Sequence, residues 1–84
     1  MEKIKLIIVD DHQVVRDGLK KYIGNDENFD LIGEAENGKK ALDLIEEHEV
    51  DIVLSDLNMP EMDGLELTEK VIKNYPESKV IILT

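Results

Sequence analysis

Eighty-four residues, 42% of them hydrophobic, allow one small domain whose core must come from Ile, Leu and Val, since there is one Phe, two Tyr and no Trp. Twenty acids against ten bases give a formal charge of -10, which repels a phosphate backbone and excludes the electrostatic footprint of a nucleic-acid binder. With no cysteine there is neither a disulfide framework nor a thiolate metal site, which fits a reducing cytoplasm.

The chain opens on "MEKIKLIIVDDH", whose apolar stretch is too short for a signal peptide or a membrane span. Ile4 to Val9 instead reads as a strand covered on both faces, ending on Asp10 and Asp11. Val15, Leu19 and Ile23, with Val14 and Tyr22 beside them, give the stripe of a first helix, which Gly24-Asn25 stops. Phe29 to Ala35 alternates, with Phe29, Leu31, Gly33 and Ala35 expected on one face of an edge strand. Asn37-Gly38 precedes Lys39-Lys40 rather than an alternating segment, so it reads as a strand-to-helix loop, not a hairpin. Ala41, Leu42, Leu44 and Ile45 mark a second helix. Ile52 to Leu54 form a third strand that runs to Asp56; Leu67, Val71 and Tyr75 a third helix, stopped by Asn74 and Pro76; Val80 to Leu83 a fourth strand, with Thr84 at its end.

The order β-α-β-α-β-α-β at this spacing argues for an α/β fold of four parallel strands with right-handed crossovers. Parallel strands share a carboxyl edge, where ligands bind in open α/β sheets, and that edge collects Asp10, Asp11, Asp56 and Thr84. At ~4 Å and an effective dielectric of ~20, each pair of like charges costs roughly 4 kcal/mol, so a cation or raised pKa values must relieve the cluster. His12 is assigned to the start of the first helix and to solvent, leaving an all-oxygen donor set suited to Mg²⁺. Such a site suits phosphoryl transfer to a carboxylate. Asp56, alone at its strand end, is the candidate nucleophile, with the Thr84 hydroxyl able to donate to the transferred group. Taken singly, Asp10 and Asp11 are equally readable as helix N-caps and Asp56 as a turn former; their coincidence on one edge favours a site. Pro60, Asp63 and Gly64 read as turn chemistry, Met59 and Met62 as packing. Asp26, Asn28 and Asp30 copy the opening of a calcium loop, but Leu31 and Asn37 stand where its glycine and closing glutamate belong.

The stretches "IIVDDHQVVRDGL" (7–19), "GEAENGKKAL" (33–42), "DIVLSDLNMPEMDGLEL" (51–67) and "KVIILT" (79–84) resemble a response-regulator receiver domain of two-component signalling, NarL/FixJ type, along the whole chain. The resemblance implies an incomplete flavodoxin-like fold over 1–84, truncated after the fourth strand and carrying no effector domain. It makes Asp56 the phosphoacceptor for a sensor histidine kinase. Asp11 and Asp56 become Mg²⁺ ligands, with the Asn58 main-chain carbonyl, and Asp10 acts in or behind that set; Thr84 becomes the switch hydroxyl. The parent is then a cytoplasmic transcriptional regulator whose DNA contact lies in a missing C-terminal domain. The family's partner lysine is also missing, so weak or absent phosphorylation of this fragment is expected. So is self-association, through the fourth-strand edge or by exchange of elements. A phosphorylation-independent interaction module is the competing expectation, ahead of a phosphoaspartate hydrolase, for which "DLN" at 56–58 lacks a second aspartate.

Overall fold

The computed structural model describes residues 2–83, so the Thr84 expectation lies outside the described residues. Four strands, β1 (Ile4–Val9), β2 (Phe29–Ala35), β3 (Ile52–Asp56) and β4 (Lys79–Leu83), alternate with three helices, α1 (Gln13–Gly24), α2 (Gly38–Glu47) and α3 (Gly64–Asn74). The strands form one parallel sheet in the order β2-β1-β3-β4. This is the α/β arrangement that the alternation predicts.

Register explains which residues share a face. Ile7 pairs with Val53 and Val53 with Val80, and these residues face α2 and α3. The neighbouring set, Leu6, Ile8, Ile52, Leu54 and Ile81, faces the α1 side. On the first side Ile7, Val9, Val53, Ala41, Leu67 and Val71 are essentially sealed from solvent and form the main core with Ala35, Ile45, Val50 and Met59. Burying an aliphatic side chain of this kind contributes about 1.5–3 kcal/mol.

Two expectations are corrected. The alternation of β2 does not keep its residues on one face, because the β1–β2 register shifts between Leu6 and Ile7: Leu6 pairs with Leu31, but Ile7 pairs with Gly33. Ile32 is the extra residue of this bulge and packs against the α2/α3 core. Phe29 and Leu31 therefore share the α1 side with Ile4 and Leu6, whereas Gly33 and Ala35 share the opposite side with Ile7 and Val9. The stripe on α1 is likewise not its buried line. Val14 and Tyr22 stand in solvent, Val15 is exposed, Leu19 and Ile23 are half-buried, and the buried residue of α1 is Arg16.

The helix ends follow local chemistry. Asn37 caps α2 by accepting from the Lys40 amide at 2.8 Å, and Asp63 caps α3 by accepting from the Glu66 amide at 2.9 Å. Asp26, the calcium-loop mimic, folds back onto the Asn28 amide and side chain in a turn leading into β2.

Candidate functional site

β1 and β3 are neighbours, so Asp10 follows the end of one and Asp56 closes the other at the same edge of the sheet. Ligand atoms of Asp10, Asp11, His12 and Asp56 all lie within 4.8 Å of one another. The three carboxylates that the sequence places on this edge do converge. Asp10 is buried, Asp56 half-buried and Asp11 exposed, which leaves the cluster open on one side.

His12 starts α1 and is exposed, as expected, but it also joins the acids. It caps α1 without a side-chain cap bond, and its ring turns back toward the acids, with Nδ1 2.8 Å from Asp10 Oδ1 and 3.0 Å from Asp11 Oδ1. The hydrogen bond that the His12 ring donates to Asp10, followed by the charges of Asp11 and Asp10, raises the His12 pKa above its ordinary value. When protonated, the imidazole supplies counter-charge to the acids. Its position one residue beyond the acids was the available signal, but the turn that folds it back is not encoded in a helical period. Asp10 and Asp11 are not the helix cap; Asp10 Oδ1 instead accepts the His12 amide at 2.8 Å.

The main chain around the cluster is held on both strands. The Asp10 amide donates to Ala35 at 3.0 Å, and the Asp10 carbonyl accepts from Arg16 Nη1 at 2.5 Å. At the end of β3 the Ser55 hydroxyl donates to the Asp56 carbonyl at 2.9 Å, and just beyond it the Gly64 amide donates to the Leu57 carbonyl at 2.8 Å. Gly64 is required by proximity: a Cβ there would sit 2.6 Å from the Asp56 carbonyl oxygen. Met62 packs over Gly38 and Met59 is in the core, which ties the loop after Asp56 to α2. Asn58 is exposed on that loop.

The carboxylate oxygens of Asp10, Asp11 and Asp56 are hard donors that fit a Mg²⁺ ion. Among the described residues, no lysine or arginine forms an ion pair with Asp10, Asp11 or Asp56.

The family model described as the response regulator receiver domain matches residues 6–84. The chain belongs to that family. Among its relatives, the transcriptional regulatory protein YdfI of Bacillus subtilis (strain 168) is 55% identical over 80 residues, covering 95% of this chain and 37% of YdfI. The signal receiver domain of the response regulator NarL from Mycobacterium tuberculosis superimposes with a TM-score of 0.92 at 32% identity, covering 98% of this chain and 66% of that one. The isolated receiver domain of RcsB from Salmonella enterica serovar Typhimurium, solved with the phosphomimetic BeF3-, gives 0.92 at 27% identity over 99% of this chain and 62% of that one. The relatives are response regulators of the NarL/LuxR type, as the motifs imply. This receiver chain spans 35% to 39% of the length of the curated relatives it matches. Receiver domains bind Mg²⁺ at an acidic pocket, and the acidic group of this receiver is Asp10, Asp11 and Asp56. No helix among the described residues is long and apolar enough to cross a membrane.

Proposed function

We propose that residues 1–84 are the phosphoacceptor part of a cytoplasmic transcriptional regulator, in which Asp56 takes a phosphoryl group from a sensor histidine kinase. The observation that carries the reading is the meeting of Asp10, Asp11 and Asp56 within 4.8 Å at the carboxyl edge of a parallel sheet. Asp56 is the nucleophile because it is the lone acid on its strand and its backbone is fixed by Ser55 and Gly64. One of its carboxylate oxygens forms the new bond to phosphorus as the bond to the kinase histidine nitrogen breaks, and that nitrogen leaves with the electron pair. Asp11, Asp56 and the Asn58 carbonyl would hold Mg²⁺, with Asp10 in or behind that set while its carboxylate keeps its contact with His12. When bound, the ion offsets charge on the transferred phosphoryl group. Thr84 follows β4 and supplies the switch hydroxyl. The role is that of a switch that is set and reset, not a catalyst turning over an external substrate. At a charge of -10 this part makes no DNA contact, which belongs to a C-terminal domain of the whole regulator.

The 84-residue chain is proposed to label weakly with a small phosphodonor, since no lysine or arginine pairs with the acids among the described residues. Intact-mass measurement after phosphodonor treatment, with and without Mg²⁺, tests both statements. A slow, Mg²⁺-dependent gain of one phosphoryl group that Asp56→Asn abolishes is the expected result. Labelling that survives Asp56→Asn removes the assignment, and rapid stoichiometric labelling removes the proposed weakness.

A second reading has its own observation. Among the described residues β4 is an edge of the sheet, and its Ile81 and Leu83 are 45% and 40% exposed. We infer that this edge pairs with a second copy of the chain, by strand addition or exchange of elements. Sedimentation should give a concentration-dependent dimer that Ile81→Lys disperses; a folded monomer at high concentration overturns it.

A further inference from the structure

The carbonyl of Asp10 lies where β1 has left the sheet and α1 has not begun. Its hydrogen bond comes from Arg16, in the first turn and a half of α1, a side chain that extends back along the helix axis and is 8% exposed as a residue. A guanidinium this far from water needs its donors satisfied. Nε donates to Glu34 Oε1 on β2 at 3.0 Å, Nη2 donates to Gln13 Oε1 at 2.6 Å, and Nη1 takes the Asp10 carbonyl. Glu34 also pairs with Lys20 at 2.7 Å. The β2 bulge makes this possible, since the register shift puts Glu34 opposite Ile8 and therefore on the α1 side.

The planar fork fixes three directions at once: the end of β1, the edge strand β2 and the start of α1. We propose that Arg16 is a positioning residue for the metal site. By holding the Asp10 carbonyl it sets the plane of the Asp10–Asp11 peptide, and so the direction in which the Asp11 carboxylate leaves the backbone; Glu34 holds the fork in place. The inference rests on the metal-site reading given above and adds to it a residue outside the ligand set. A cluster of like charges would otherwise splay, because nothing else in the described residues bonds that carbonyl.

The test is Mn²⁺ titration of the 84-residue chain, with free ion followed by electron paramagnetic resonance and Mg²⁺ as competitor. Urea unfolding by circular dichroism is recorded in parallel. Arg16→Lys keeps the charge and loses the fork. It should weaken ion binding about 10-fold or more while the chain stays folded, the range typical of residues that orient metal ligands. Glu34→Ala should weaken it by a smaller factor, and the double variant should be no weaker than Arg16→Lys alone, because Glu34 acts through Arg16. Binding by folded Arg16→Lys within about twofold of the wild type, with only the unfolding midpoint lowered, overturns the proposal and leaves Arg16 a purely structural tie. If Arg16→Lys does not fold, Glu34→Ala decides by the same split between ion affinity and unfolding midpoint. A wild-type chain that takes up no ion at millimolar Mn²⁺ removes the metal-site reading itself, and the inference with it, a result distinct from any pattern among the variants.

Discussion

On the α2/α3 side of the sheet, Ile7, Val9, Val53, Leu67 and Val71 leave almost no surface to water, and the loop after Asp56 is stitched to it by Met59 and Met62. On the α1 side, Leu6 and Ile8 are buried at the centre, but Ile4, Val15, Ile81 and Leu83 remain exposed, and α1 is fastened through Arg16, Lys20 and Glu34 in addition to its half-buried Leu19 and Ile23. The same strands thus feed an apolar core on one side and a polar brace on the other. The brace also grips the site, because its central guanidinium reaches the carbonyl of Asp10. The proposed role of Arg16 would make stability and site geometry separable in this receiver, the first residing mainly with α2 and α3 and the second partly with α1.

The sharpest way to break this comparison is to remove equal amounts of apolar side chain from the two sides. Leu67→Ala, at a site with no exposure, should cost about 2–5 kcal/mol in urea denaturation, whereas Ile81→Ala, already 45% exposed, should cost less than about 1 kcal/mol. Equal losses would mean that the α1 side is as well packed as the other.

The brace should answer to pH. Lys20, and after it Arg16, hold the Glu34 carboxyl below its ordinary pKa, so its stabilisation is complete above the unfolded-state value and disappears as pH falls through the depressed folded-state value. Glu34→Gln should therefore be less stable than the wild type by about 1 kcal/mol at pH 7, and the two unfolding curves should converge on acidification below the usual glutamate range. A gap that persists at low pH would assign the effect to packing instead.

The smallest effect concerns the loop that joins Asp56 to α3. Glu61 has φ 67°, a left-handed conformation that costs a residue with a side chain roughly 1 kcal/mol. Glu61→Gly should leave stability unchanged or raise it by under about 1 kcal/mol, since relief of the strain is partly offset by the greater freedom of an unfolded glycine. A large loss would mean that the Glu61 side chain supports the loop.

Much of the fold is legible in the sequence because its signals are local. Apolar runs without helical period marked β1, β3 and β4; Asn37 and Asn74 stand at helix boundaries; and paired acids after one strand with a lone acid closing another mark the site edge of a parallel sheet. The failures are those of registry. The alternation from Phe29 to Ala35 carries no sign of the bulge at Ile32, which turns Glu34 toward α1. The apolar spacing on α1 is real, yet Val15 stays exposed while Arg16, a charged residue, is the one the helix buries. His12 is exposed at the start of α1 as the sequence suggests, but its ring also turns onto the Asp10 and Asp11 carboxylates, which no local pattern records.

The order of residues alone determined that strands and helices alternate, that the strands lie parallel, and that Asp10, Asp11 and Asp56 end on one edge, because backbone periodicity and chain direction are properties of neighbours. Tertiary structure decided which partners those acids have. The turn of His12 onto the carboxylates and the reach of Arg16 to the Asp10 carbonyl depend on how α1 lies across β1 and β2, and the pairing of Arg16 with Glu34 on a one-residue shift in strand register. Contacts between residues distant along the chain are set by packing over the whole sheet, and no local pattern records them.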